Sequence, residues 1–186
     1  MKTITIVGAS VAGIRSAEAL RAAGYDGRLV LVSDDRHRPY DRPPLSKAFL
    51  DGSLDADAIG LLDTGEEAEL ALDMRLGVTA ARLDPAGARV VLADDTELVT
   101  DGVVIATGGR ARRLPGTEDV AGVHTLRTLD DALALRRDLR NGSPRVAVVG
   151  GGFIGAEVAS TCRGMGLDVT VLDGLPLPLA PVLGPR

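Results

Sequence analysis

Two glycine-rich turns, each set between a short apolar run and an alanine-rich stretch of helical character, constrain this chain most. Val7-Gly8-Ala9-Ser10-Val11-Ala12-Gly13 lies near the N-terminus, and Val149-Gly150-Gly151-Gly152-Phe153-Ile154-Gly155 follows Ser143-Pro144. In a strand–turn–helix of this kind the first glycine makes the bend. The second admits a close backbone approach, and the third lets the helix pack onto the strand. Each turn therefore predicts a βαβ unit in a parallel sheet.

The flanking pattern agrees. Thr3 to Val7 reads as a buried strand, and a helix is expected over Val11 to Ala23, with Val11, Ile14 and Leu20 near one stripe. Gly24 stands where a left-handed cap would stop that helix. Arg28 to Val32 is the returning strand, with Asp34 and Asp35 at its end. The second unit repeats the scheme weakly: strand Arg145 to Val149, helix Ile154 to Met165, strand Asp168 to Leu172.

Between the units the pattern changes. Arg36 to Asp51 is a loop rich in proline and cations. Thr64-Gly65-Glu66-Glu67 has capping-box spacing and predicts a short helix over Glu66 to Leu72. Met74 to Val104 is mostly β, with a hairpin signal between Arg89–Leu92 and Glu97–Val99. Gly102 to Gly109 reads as a further buried strand stopped by a glycine pair. Thr128 precedes a helix over Leu129 to Arg140, whose early Asp130 and Asp131 and late Arg136, Arg137 and Arg140 suit the helix dipole. Asn141-Gly142 ends it. The segment from Gly174 to Arg186 is proline-rich and apolar, and two parallel strands with one helix leave apolar faces bare. A second domain is therefore expected to begin here without finishing.

Composition narrows the function. Hydrophobic residues make up 45% of the 186, with two Tyr, two Phe and no Trp, so the chain is globular with an aliphatic core. A net charge of −5 argues against a nucleic-acid surface. The single cysteine, Cys162, rules out a disulfide framework, a cysteine metal cluster and a Cys-x-x-Cys redox pair, and reads as a small buried side chain. With no apolar leader or spanning segment in view, a cytoplasmic protein away from membranes is expected.

The glycine turns carry the chemistry. A pyrophosphate meets the free N–H groups and dipole at the helix start, and an acid about 20 residues further on takes the ribose hydroxyls. The first unit offers Gly8 and Gly13 with Asp34; the second offers Gly150, Gly152 and Gly155 with Asp173. Ser10 replaces the middle glycine of the first, where its hydroxyl could itself bond a phosphate. Asp173, followed by Gly174 rather than a cation, favours NAD over NADP. By themselves Arg42, Lys47 and Arg127 read as solvated loop charges. His37 and His124 have no metal or triad partner at useful spacing, and neither is assigned a role.

The series Gly8 to Gly13, Tyr40-Asp41-Arg42-Pro43-Pro44-Leu45-Ser46-Lys47, Ala106-Thr107-Gly108-Gly109, Arg127-Thr128-Leu129-Asp130-Asp131-Ala132 and Gly150 to Glu157 resembles the NADH-dependent ferredoxin reductases. These include the rubredoxin, putidaredoxin and aromatic-dioxygenase reductases of the two-dinucleotide-binding flavoprotein superfamily. The resemblance covers essentially the whole chain. It implies an α/β, Rossmann-like, three-layer fold with a parallel sheet and a β-meander, the second domain truncated. An FAD domain over residues 1–143 would precede the start of an NAD domain over 144–186.

By resemblance, Gly8, Ser10, Ala12 and Gly13 would face the FAD pyrophosphate and Asp34 its ribose. Arg42 and Lys47 would lie along FAD, and Val78 would touch adenine through its backbone. Thr107, Gly108 and Arg127 would also contact FAD. Gly150, Gly152, Ile154, Gly155, Glu157 and Asp173 would serve NAD. The implied relay takes hydride from NADH to FAD and passes electrons singly to an iron–sulfur acceptor of ferredoxin or rubredoxin type. Disulfide reductases of the superfamily need a dithiol, which the Pro43 to Lys47 region lacks. Family members run about twice as long, so a non-catalytic nucleotide-binding remnant is the alternative expectation.

Overall fold

The computed structural model describes residues 1–179, 183 and 184. The end of the proline-rich segment, residues 180–182 with 185 and 186, lies outside the described residues. The chain divides into two compact units, Met1–Asp41 with Ile59–Gly109, and Arg42–Ala58 with Arg110–Arg186.

The first unit is built on a four-stranded parallel sheet. Strands β1 (Thr3–Val7) and β2 (Arg28–Ser33) are joined by helix α1 (Val11–Ala22). The short α2 (Ala48–Asp51) belongs to the second unit, and the first resumes with α3 (Thr64–Leu70), β3 (Leu72–Leu76), β4 (Ala80–Asp84), β5 (Arg89–Leu92), β6 (Glu97–Val99) and β7 (Gly102–Ile105). The sheet order is β3-β2-β1-β7, while β4-β5-β6 form an antiparallel meander. In β1 and β2 successive side chains point to opposite faces. Ile4, Ile6, Leu29 and Leu31 meet Ile14 and Ala17 of α1 on one face. On the other face Val30 and Val32 pack with Val90 and Leu92 of the meander. Helix, sheet and meander thus make three layers, with β1 and β2 at the centre.

Three local expectations are revised. The helix near residue 64 runs Thr64–Leu70 and is capped by Asp63, whose Oδ1 accepts from Gly65 and Glu66 N–H while Glu66 returns to the Asp63 N–H. Thr64 is already helical, and Leu72 opens β3. Val11 does not share the buried stripe of Ile14: it is 41% exposed at the head of α1. The strand expected over Gly102 to Gly109 ends at Ile105, which is 71% exposed, and β7 stands at the edge of the sheet among the described residues.

The second unit contains α2, α4 (Leu129–Arg140), β8 (Val146–Val149), α5 (Phe153–Gly164) and β9 (Val169–Leu172). β8 and β9 pair in parallel. Their helix buries Val158 and Cys162 against Leu50 of α2, Leu139 of α4 and Leu167. Burial pushes the Cys162 thiol pKa upward, in keeping with an inert packing residue. Thr128 caps α4 through Asp131, as its position before the acidic first turn predicts. α2 is braced by α4: the Arg136 guanidinium lies 5.1 Å from the Phe49 ring centroid, and Arg140 donates to the Asp51 carbonyl. Segments 42–58 and 110–143, grouped by the sequence with the first dinucleotide domain, pack here in one unit with α5.

Candidate functional site

The first glycine turn is held by backbone bonds to both neighbouring strands. Gly8 N–H donates to the Val32 carbonyl and Ala106 N–H to that of Val7, each at 2.8 Å. Gly8 has φ +116°, and a Cβ on it would fall 2.1 Å from the Ala106 carbonyl oxygen. A Cβ on Gly13 would fall 1.9 Å from the Gly8 carbonyl oxygen. No other residue lets α1 come this close to the turn. Ser10 occupies the N-cap in extended conformation with no side-chain cap bond, and the first helical turn carries no acid. The helix start therefore keeps its partial positive charge and its hydroxyl for an anionic ligand.

Asp34 and Asp35 divide their tasks. Asp35 accepts from the buried Tyr40 hydroxyl at 2.7 Å and from His37 N–H at 3.0 Å, so it organises its own loop. Asp34 is exposed just beyond β2, the position a ribose acid requires. Val78 N–H is committed to the Ser33 carbonyl at 2.8 Å, so a contact with adenine through that backbone would use its carbonyl. Thr107 and Gly108 follow β7 and are exposed, the Thr107 backbone nitrogen lying beside Gly8.

The second turn repeats the first in geometry. Gly150 has φ +107° and donates to the Leu172 carbonyl at 2.7 Å, and a Cβ on Gly155 would fall 2.0 Å from the Gly150 carbonyl oxygen. Gly152 is the N-cap of α5, with no side-chain cap and no acid in the first turn. Asp173 lies across the turn: one carboxylate oxygen accepts from Gly151 N–H and the other from Leu175 N–H, both at 3.1 Å. The acid is thereby oriented beside the glycines by backbone donors. Phe153 and Ile154 stay more than half exposed and, with Gly150, Gly152 and Gly155, border a cavity of about 870 Å3.

A third cluster, also in the second unit, gathers Arg42, Lys47, Arg127, Ile154 and Glu157 around a cleft of about 310 Å3. Arg42 Nη1 donates to the Arg127 carbonyl at 3.0 Å. Lys47 Nζ donates to Glu157 Oε1 at 2.8 Å. Ser46, which sequence reasoning passes over, donates to Glu157 Oε2 at 2.5 Å, and Thr161 donates to the Ser46 carbonyl at 2.7 Å. The Lys47 ammonium and then the Ser46 hydroxyl hold the Glu157 carboxyl below its ordinary value of 4.5. The ion pair is half exposed, 46% and 38% at the side chains. Such pairs contribute about 0.2–1 kcal/mol net of the side-chain entropy they cost. The Ser46 hydroxyl adds a second charge-assisted hydrogen bond to the same carboxylate, from a side chain that is itself buried. Resemblance singles out Arg42, Lys47, Arg127, Ile154 and Glu157 one by one, and for the link through Ser46 the sequence signal is the i, i+4 spacing of Glu157 and Thr161, which puts them on one face of α5.

Among the described residues no group of three His, Cys, Asp or Glu is placed to hold a metal. No described helix is long and apolar enough to cross a membrane. His124 Nε2 lies 2.8 Å from Asp138 Oδ2, a pairing internal to the second unit.

A family profile described as pyridine nucleotide-disulphide oxidoreductase matches residues 2–186. The chain belongs to this family. It is 44% identical over 185 residues to the benzene 1,2-dioxygenase system ferredoxin–NAD(+) reductase subunit of Pseudomonas putida, covering 98% of this chain and 44% of that protein. It is 43% identical to the biphenyl dioxygenase system reductase component of Paraburkholderia xenovorans, covering 99% and 45%. Putidaredoxin reductase, solved in covalent complex with putidaredoxin, superposes with a TM-score of 0.91 at 37% identity, over 97% of this chain and 44% of that one. A ferredoxin reductase of Rhodopseudomonas palustris gives 0.92 at 36% identity, over 100% and 46%. The chain thus has the Rossmann-type α/β fold of these reductases and spans less than half the length of the relatives it matches.

Proposed function

We propose that the chain is the part of an FAD-dependent, NADH-oxidising reductase that recognises the two dinucleotides, the reductase's electrons passing to an iron–sulfur protein. The observation that carries this reading is the repeated turn: in each unit a glycine lies within 2.0 Å, at the position of an absent Cβ, of the carbonyl that opens the turn. Neither helix start carries a side-chain cap or an acid in its own first turn, although Asp173 accepts from Gly151 N–H beside the second. The fit to a pyrophosphate is good in each, since a neutral or cationic ligand would gain nothing from that field. In the first unit Gly8, Ser10, Ala12 and Gly13 would hold the FAD pyrophosphate, Asp34 its ribose, and Val78, Thr107 and Gly108 the flanks. In the second, Gly150, Gly152, Ile154 and Gly155 would hold NADH, with Asp173 on the adenosine ribose and against a 2′-phosphate.

Lys47 and Arg42 bring cations to the cleft that Arg127 and Glu157 also line, and by family resemblance these cations belong with FAD. When bound, the flavin would supply the change from two-electron to one-electron transfer. The protein's residues bind, orient and place charge. Named relatives belong to dioxygenase systems as ferredoxin–NAD(+) reductases, which supports an iron–sulfur acceptor for this chain.

A second reading, nucleotide binding without turnover, draws on the open β8–β9 sheet, where Val149, Val171 and Leu172 are 63%, 43% and 52% exposed. One experiment separates the two. The purified chain is examined for flavin absorbance and then given NADH anaerobically. A yellow protein that NADH bleaches supports a working reductase; a yellow protein that NADH leaves unchanged supports binding alone. A protein that stays colourless with added FAD overturns the reductase reading and leaves a remnant that does not bind FAD.

A further inference from the structure

We infer that Ser46 is a positioning residue that, acting through Glu157, fixes the ammonium of Lys47 on the wall of the cleft lined by Arg42, Arg127 and Ile154. The inference rests on the reading that this cleft faces a cofactor. It adds the residue that sets where the cation stands.

The geometry assigns the direction of control. Lys47 and Glu157 are long side chains, each well exposed, and neither can locate the other alone. Ser46 is 5% exposed, has one side-chain torsion, and closes a 310 turn over Pro43–Ser46 in which two prolines preset the backbone. The turn is tied by Leu45 N–H to the Arg42 carbonyl and Lys47 N–H to the Pro44 carbonyl. From the other side Thr161, one helical turn after Glu157, donates to the Ser46 carbonyl. The Ser46 hydroxyl has one proton and two acceptors in reach, the Pro43 carbonyl at 3.4 Å and Glu157 Oε2 at 2.5 Å. The nearer, charged acceptor takes it. A carboxylate is planar, so fixing Oε2 and the backbone of α5 fixes Oε1, and Oε1 is the atom that Lys47 grips. Ser46 and Lys47 are neighbours in sequence, and Glu157 and Thr161 share one helix face. The four residues therefore form a closed clamp, with the hydroxyl as its rigid corner.

The test uses the full chain without nucleotide, so that a failure to bind FAD leaves its outcome readable. Carboxyl 13C NMR follows Glu157 through pH, and 15N NMR follows the Lys47 ammonium. Ser46→Ala is expected to raise the Glu157 midpoint by about half a pH unit or more and to lose the ordered Lys47 signal. Ser46→Thr, which keeps the hydroxyl, is expected to restore both. Thr161→Val leaves the Ser46 hydroxyl in place and is expected to give a smaller shift in the same direction, which serves if Ser46→Ala does not fold. A Ser46→Ala protein that melts earlier but keeps the wild-type Glu157 midpoint and Lys47 signal overturns the inference, as does a Ser46→Thr protein that behaves like Ser46→Ala. If Ser46→Ala does not fold, an unshifted Thr161→Val overturns it.

Discussion

Replacing Gly155 by Ala tests the close approach of α5 to the second glycine turn. The new Cβ would lie 2.0 Å from the Gly150 carbonyl oxygen, whereas real Cβ atoms essentially never come within 3.0 Å. The obstacle is backbone, so no side chain can swing away, and the start of α5 must retreat by about 1 Å. The Gly150 N–H bond to Leu172 holds the turn in place, and Val148 Cγ1, 3.3 Å from the same Cβ, crowds it further. Overpacking of this kind costs about 1–3 kcal/mol, and a backbone clash belongs at the upper end. About 3 kcal/mol corresponds to a loss of roughly 6–12 °C in a chain of this size. Gly164→Ala, in the last turn of the same helix with nothing within 4 Å of its added Cβ, provides the control. It should stabilise by about 0.4–1 kcal/mol. Calorimetric melting of the three proteins side by side is the assay. A Gly155→Ala protein that melts within a degree of wild type refutes the close approach, and with it the main reason for reading the turn as a nucleotide cradle.

Asp63→Ala removes the side-chain half of the α3 capping box, leaving the Glu66 carboxylate on the residue-63 N–H, and should cost about 1 kcal/mol in urea unfolding, whereas Thr64→Ala, inside the helix, should cost less. The depressed Glu157 carboxyl contributes stability that is present above its ordinary value of 4.5 and is lost as pH falls through the lower folded-state value. Glu157→Gln should therefore flatten the acid limb of the stability curve below pH 4.5 by no more than about 1 kcal/mol, given the exposure of the pair. An unchanged limb would show that the pair does not form in solution. Asp173→Asn removes the charge that opposes a 2′-phosphate, and should narrow a preference for NADH over NADPH about tenfold, or ~1.4 kcal/mol, in fluorescence titrations.

The elements that local chemistry specifies were legible from the sequence. Gly8 and Gly150 end β1 and β8, and Thr128 and Asn141 bound α4, because turns, caps and breaks are written in neighbouring residues. Asp63 and Thr64 shows where this stops. Both satisfy a capping pattern one residue apart, and only the backbone path selects Asp63, whose carboxylate reaches Gly65 and Glu66. Among the described residues β7 pairs on one side only and Ile105 is exposed, neither of which its own apolar run encodes. The clamp is less legible still, since Ser46 and Glu157 are 111 residues apart and their bond exists only once the 310 turn packs on α5. The glycines point to a ligand class from neighbouring residues alone, whereas the Ser46–Glu157–Lys47 contacts are visible only in the packing.

The central claim is that each glycine turn holds a different dinucleotide. Amide 15N–1H spectra of the chain, titrated first with FAD and then with NADH, test it directly. The account predicts that FAD perturbs the amides of residues 8–13 and NADH those of 150–155. If both nucleotides move the same turn, or neither turn responds, the account is contradicted.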